Sequence, residues 1–363
     1  AIDSNGGVYV VGGFTGLVNF DPNGEAEITT GEYGNTCIAH YESNGAFDFV
    51  VSISGGDTVI PVGVEVDAQD NVYVTGTLSG EADFDPSSEE LIVSNDVTGN
   101  YLAKYASNGE FIWAWSIEDA HSTDLEVLED GTCYLVGSFS LPVDLDPGME
   151  ENSFQPEGVD SFIIKTDNDG SHIWGFVFSG ENNDYIYGVT TDNADGVYVC
   201  GGFRGVLDVD PSDQEVLVVG DVGTEYFVTK LDDNGEYQWE SVIQNIGDGQ
   251  FLDIDYDDLA GNVSVTGMGY GTHLFPNNLE INPSGEDDIM NVSYSSSGEI
   301  LGVLMIGGTS EEVIETGNAH TRNGVLTIGG SYPGTIDFSP NETEQLGPPS
   351  QGSQDLFLAR YST

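Results

Sequence analysis

The chain has 363 residues, 63 of them acidic and 6 basic, for a formal net charge of -57. A surface of that sign repels nucleic acid and anionic lipid, which argues against both as partners. No run reads as a membrane-spanning helix or a leader, so direct membrane insertion is not expected.

Taken along the chain, the predicted elements repeat one order. Val8-Tyr9-Val10 reads as a strand closed by Gly12, followed by the turn Asn19-Phe20-Asp21-Pro22 and the hairpin signal Asn44-Gly45 before Phe49. The second unit is complete. Gly63 to Asp67 alternates, Ala68 to Asn71 turns, and Val72-Tyr73-Val74-Thr75-Gly76 is a second strand. Asp83-Phe84-Asp85-Pro86 turns again, Tyr101 to Tyr105 is a third strand, Ser107-Asn108-Gly109 a hairpin, and Phe111 to Ile117 a fourth strand. The third unit repeats this with Cys133-Tyr134-Leu135, Asp144-Leu145-Asp146-Pro147, Asp169-Gly170 and Trp174. The fourth has Val197-Tyr198-Val199, Asp208-Val209-Asp210-Pro211, Asn234-Gly235 and Trp239. In the fifth the turn decays to Glu280-Ile281-Asn282-Pro283, and in the sixth to Asp337-Phe338-Ser339-Pro340. The spacing, roughly 60 to 70 residues, suits one supersecondary unit that stacks on its neighbours.

Four short strands in each of six units predict an all-β chain, a six-bladed β-propeller of four-stranded antiparallel blades over residues 1–363. Thr363 stops after a third strand, so the closing blade is expected to be incomplete. The chain then reads as an excerpt of a longer protein, or as one that receives a strand from another chain.

The run Asn71 to Gly76, the Asp-Phe-Asp-Pro turn, the strand Phe162 to Lys165 and the hairpin Asn108 to Trp113 together resemble the SBBP-type β-propeller repeat of large secreted bacterial proteins. The resemblance covers nearly the whole chain. It implies the propeller fold and a secreted or cell-surface setting, and it implies no reaction.

Basic residues are scarce, yet Lys104, Lys165, Lys230 and Arg360 share one slot in the third strand, with His40 there in the first unit. Only Arg204 and Arg322 lie elsewhere. The repetition predicts a buried ion pair in each unit, with the Asp-x-Asp-Pro turn as the expected source of the acid. Trp113, Trp174 and Trp239, with Phe49, share another slot and read as packing between units. Cys37, Cys133 and Cys200 fall on apolar strand positions and read as free core thiols.

The same turns are the candidate metal sites. Residues two apart on an extended segment share a face, so Asp83 with Asp85, Asp144 with Asp146, and Asp208 with Asp210 offer paired oxygen ligands suited to Ca²⁺. Asp21 and Asp337 are weaker members. The competing reading is that these residues start turns and cap backbone donors. A second acidic set, Asp57, Asp124, Asp184, Asp248 and Glu311, is expected to ring one mouth of a central channel. An insertion at Gly269 to Asn278 offers Tyr270, His273 and Phe275 as exposed binding candidates.

Catalytic patterns fail. The histidines are scattered, there is no nucleophile elbow, and Gly267 to Gly271 does not open a helix. The expectation is a non-enzymatic structural or adhesive module that meets a protein partner, its own copies or a glycan at the cell surface. The alternatives are a carbohydrate-binding module and a polysaccharide-acting lyase or hydrolase. Asymmetry separates them: an enzyme needs one unit with a singular His, Tyr or Arg cluster.

Overall fold

A computed structural model describes residues 1–24, 26–29, 34–85, 87, 91–148, 152–192, 196–212, 214–220, 223–282, 288–307, 318–322, 324–332, 336–338 and 355–362. Every regular element among the described residues is a β-strand. The chain falls into two compact units, residues 1–156 with 161–177, and residues 157–160 with 178–363.

The first unit holds repeats one to three. Repeat one pairs Val8–Phe14, Asn35–Tyr41 and Phe47–Gly55 in antiparallel order. Repeat two pairs Thr58–Val66, Val72–Asp83, Ile92–Tyr105 and Phe111–Glu118. Repeat three has Ala120–Val127, Cys133–Phe139, Asp160–Thr166 and His172–Phe178 in one sheet. In the second unit, repeat four runs through Tyr185–Thr191, Gly196–Phe203, Glu225–Asp232 and the first half of Tyr237–Asp257. The second half of that strand opens repeat five, followed by Asn262–Leu274, Asp288–Ser295 and Ile300–Ile306. Repeat six supplies Asn318–Arg322, Val325–Tyr332 and Asp355–Ser362.

The pattern of burial follows from strand position. Asp160–Thr166 and Gly196–Phe203 are buried at every residue; the latter reads as a continuous run of apolar and small residues, while the former also buries Asp160 and Lys165. Outer strands such as Phe111–Glu118 alternate, with one face on the core. Two bulges recur. The first strand skips one residue, Val62, Thr123, Tyr187 or Leu252, opposite the conserved order of the second strand. The fourth strand slips beside the basic slot, at His40/Tyr41, Lys104/Tyr105, Lys230/Leu231 and Ser293/Tyr294.

Repeats one and two, two and three, and four and five meet through one recurring joint. Trp113 Nε1 donates to the carbonyl of Asn168 in the next repeat at 3.2 Å, and Lys104 Nζ donates to the same carbonyl and to Asn168 Oδ1. Trp239 Nε1 and Lys230 Nζ treat Ser296 in the same way, at 3.0 and 3.5 Å. In repeat one, Tyr9 donates its hydroxyl to the carbonyl of Ser107 at 3.3 Å. The slot ring also lies flat against the hairpin glycine of the following repeat. A Cβ at Gly109 would sit 2.9 Å from Phe49, one at Gly170 3.0 Å from Trp113, and one at Gly298 2.8 Å from Trp239. Phe49, Trp113 and Trp239 are therefore inter-repeat packing.

The basic slot is paired at His40, Lys104 and Lys230, in none of them with the Asp-x-Asp-Pro turn. Lys104 Nζ lies 3.6 Å from Asp67 Oδ2, and Lys230 Nζ lies 2.9 Å from Asp192 Oδ2. His40 bridges Asp3 and Asp48 at 3.0 and 2.9 Å. Asp48 lies on the strand Phe47–Gly55, whereas Asp3, Asp67 and Asp192 sit in or beside the turn that leads into the second strand. There the carboxylate also holds the turn, as Asp67 Oδ1 does for the N–H groups of Gln69 and Asn71. The lysine stems pass over tyrosine rings, at 4.8 Å for Lys104 on Tyr73 and 4.7 Å for Lys230 on Tyr198. The three cysteines are free and buried.

Gly170 has a φ of +76° and the Trp113 ring where a side chain would go. Gly170→Ala is expected to cost on the order of 1–3 kcal/mol in chemical denaturation. Gly302→Ala, with nothing within 4 Å of the added carbon, should change stability little.

Candidate functional site

The repeated turn makes the same pattern of side-chain bonds in four repeats. Asp83 Oδ1 accepts the backbone N–H of Asp85 and of Leu91, both at 3.1 Å, and Asp85 Oδ1 accepts that of Ser87 at 2.8 Å. Asp144 and Asp146 do this for Asp146, Asn152 and Gly148. Asp208 and Asp210 do it for Asp210, Val216 and Ser212, and Asn19 and Asp21 for Asp21, Ala26 and Asn23. The middle residue points inward, with Phe84, Leu145 and Val209 buried. A tyrosine at the end of the third strand fastens the turn: Tyr105 donates to the carbonyl of Phe84 at 2.9 Å, Tyr41 to Phe20 at 2.9 Å and Tyr361 to Phe338 at 3.1 Å. In repeat six Asp337 pairs by its backbone with Gly307, while Ser339 lies outside the described residues, as does Pro86.

This geometry bears on metal binding. The turns at Asp83, Asp144 and Asp208 each bring two carboxylates together, with one oxygen of each holding amides, whereas the Asn19 turn has only the carboxylate of Asp21. A cation there would have the two Oδ2 atoms, carbonyls and water, short of the six to eight oxygens that Ca²⁺ takes unless solvent completes the set. Among the described residues no group of three or more His, Cys, Asp or Glu side chains could hold a metal.

The second acidic set does not share a register. Asp124 stands opposite Val136, on the far side of the bulge. Asp184 precedes the pair Tyr185–Gly202, and Asp57 precedes the pair Thr58–Ser79. The side chain of Asp248 and all of Glu311 lie outside the described residues. The insertion also departs from expectation. His273 and Phe275 are buried rather than exposed, because the insertion lengthens a strand pair, Tyr237–Asp257 with Asn262–Leu274, and folds their side chains into the core. Burial pushes the His273 imidazole down to about 4. The side chain of Tyr270 lies outside the described residues.

Asymmetry appears in repeat four. A cavity of about 580 Å³ is framed by two approaching loops, Glu157-Gly158 and Glu181-Asn182-Asn183, and by Tyr185, Tyr187, Arg204 and Thr224. The Tyr185 and Tyr187 rings lie 6.0 Å apart at 19°. By strand register their positions hold Ile60 and Val62 in repeat two, His121 and Thr123 in repeat three, and Gln250 and Leu252 in repeat five. The loops are tied by the N–H of Asp184 donating to the carbonyl of Val159 at 2.7 Å and that of Val159 donating to Asn183 Oδ1 at 3.2 Å. Gly158 makes the approach possible, since a Cβ there would lie 2.5 Å from the carbonyl of Asn182.

Asp184 and Asp160 lie just behind these loops, each 1% exposed. Burial pushes the Asp184 carboxyl up to about 7, and the charge of Asp160 adds to this, against an N–H from Arg204. Burial also raises Asp160, with N–H groups of Glu157 and Gly180 opposing and the Glu157 charge reinforcing. Sequence reasoning named Asp184 but passed over Tyr185, Tyr187 and Arg204 as a group. The signal present was Arg204 standing outside the basic slot.

No family model matches the chain, and no curated protein matches it. Among solved structures it is similar to a DUF4221 family member from Bacteroides vulgatus, at 10% identity and a TM-score of 0.36 over 99% of this chain and 100% of that one. It is also similar to the extracellular domain of a hybrid two-component system protein from B. thetaiotaomicron, at 10% identity and a TM-score of 0.15 over 97% and 76%. Likenesses this distant assign neither family nor activity.

A raised carboxyl destabilises the fold once it must ionise. The contribution of Asp184 to stability is therefore intact below its unfolded value near 4 and falls as pH rises to about 7, beyond which it is flat. Asp184→Asn should remove that part of the slope. Subtracting the variant's stability-versus-pH curve from the wild-type curve should leave a decline confined to that window, and a flat difference would contradict the assignment.

Proposed function

We propose that the chain is a six-bladed β-propeller module, secreted or held at the cell surface, that acts as a non-enzymatic structural and adhesive scaffold. The observation that carries this reading is the recurring joint, in which ring, lysine and tyrosine of one repeat grip the hairpin of the next. Repeats that bury their faces only on their neighbours suit a ring or an extended assembly. The partner is then a surface protein or further copies of the chain, and the secreted setting rests on the repeat resemblance. A lyase or hydrolase is the weaker reading, because Asp160 and Asp184 are buried behind the cavity and do not face a substrate.

A closed ring places the basic slot of repeat six against the hairpin of repeat one, as Lys104 and Lys230 are placed against Asn168 and Ser296. Ser43→Cys combined with Arg360→Cys should then be joined within one chain by a short bismaleimide, which spans the length of a basic side chain where a direct disulfide could not. Recovery of only unlinked monomer or of chains linked to one another would contradict ring closure.

Calcium at the Asp-x-Asp-Pro turns belongs to this reading only as an added staple. The backbone donors there are satisfied by the carboxylates themselves, so chelation of divalent ions should leave the melting temperature unchanged. A fall of several degrees, with metal found in the purified protein, would make Asp83-Asp85, Asp144-Asp146 and Asp208-Asp210 calcium sites, with Asp21 and Asp337 as weaker members.

A further inference from the structure

We infer that the repeat-four cavity is a binding site for a neutral sugar residue of a glycan. The inference gives the adhesive scaffold a ligand, and it rests on the fourth repeat and the neighbouring loop Glu157-Gly158 alone, so it stands or falls independently of ring closure.

The size is right for a small polar ligand, since about 580 Å³ lies within the range of built small-molecule sites. The floor is right for a sugar. Tyr185 and Tyr187 present two nearly parallel, half-buried rings, and an aromatic face is apolar across its body while its hydroxyl stays polar at the tip. The C–H face of a pyranose ring can lie on such a surface while its hydroxyls point to the rim.

The rim is polar and held in place before any ligand arrives. Arg204 Nε donates to Thr224 Oγ1 at 2.9 Å, which fixes the guanidinium. The Asn182 amide donates to the carbonyl of Arg204 at 3.2 Å, and Asn183 is held between Val159 and Tyr185. Arg supplies donors only, whereas Asn and Thr supply donors and acceptors, a mixture that matches hydroxyl groups able to do both. Preorganised side chains lose little freedom on binding.

Charge decides the class. Glu157 and Glu181 stand on the two loops, and Arg204 is the single cation among the described residues that line the cavity. Uronates and sulfated sugars would meet more negative than positive charge, in a chain already at -57. An uncharged polyol meets no such penalty.

The test uses the whole chain with four named neutral oligosaccharides, the tetramers of cellulose, amylose, xylan and mannan, and with oligogalacturonate as an anionic arm. Saturation-transfer NMR and calorimetry read the binding. The expected result is that at least one neutral tetramer binds, with transfer from tyrosine protons that disappears in Tyr185→Phe/Tyr187→Leu. Tyr187→Ala and Arg204→Ala should each weaken it about tenfold, while melting temperature stays near that of the wild type. If either alanine variant unfolds, Thr224→Val, which releases Arg204 without removing it, should still weaken binding. The inference is overturned if no neutral tetramer binds, if binding is indifferent to these changes, or if oligogalacturonate binds as tightly as the best neutral ligand.

Discussion

The interaction on which the architecture depends is the buried ammonium of the third strand. Lys104 and Lys230 each answer three demands at once: they neutralise an acid in the turn between the first two strands, lie over a tyrosine ring, and bond a hairpin carbonyl in the next repeat. A charge taken this far from water is tolerable only when its partners are complete. That requirement couples the inside of one repeat to the position of its neighbour. The slot tryptophan bonds the same carbonyl, and the hairpin glycine leaves room for its ring.

The exceptions follow the same logic. Repeat three has Leu128 where repeat two has Asp67, in a turn closed by the same backbone pair, and its Lys165 lies over Tyr134 at 5.4 Å. In repeat five the cation is replaced by Ser293 and the slot ring by Gly302. There the turn acid Asp257 accepts a backbone N–H from Gly324 of repeat six at 2.5 Å, so its carboxylate still links two repeats. The acidic turns at Asp83, Asp144 and Asp208 belong to a separate system, each closing a strand pair at Asp83–Ile92, Asp144–Ser153 and Asp208–Leu217. The cavity of repeat four depends on neither system and uses the tolerant first-strand register, where side chains differ from repeat to repeat.

Much of the fold was legible because its signals are local. Asn44-Gly45, Asn108-Gly109 and Asn234-Gly235 announce hairpins, since these glycines adopt positive φ. The Asp-x-Asp-Pro turns declare themselves through carboxylates that cap amides within eight residues. The partner of the basic slot was misread because it depends on three-dimensional neighbours: Lys230 and Asp192 are 38 residues apart and meet only across paired strands. The second acidic set looked coherent in sequence, but the connections into the first strands differ in length, so Asp57 and Asp184 fall ahead of the recurring bulge and Asp124 behind it. His273 and Phe275 looked exposed because an insertion suggests a loop, whereas here it extends a strand pair into the core. The cavity was illegible as a unit because two loops separated by a whole hairpin build it.

A double-mutant cycle on Lys104 and Asp67 tests the central claim most directly. Unfolding of wild type, Lys104→Met, Asp67→Asn and the double variant would be followed in denaturant. The account predicts that each single change costs about 3–5 kcal/mol, because it strands a buried charge, and that the double variant loses no more than either single one. Small, additive losses would contradict it and reduce the repeated lysine to a surface ion pair.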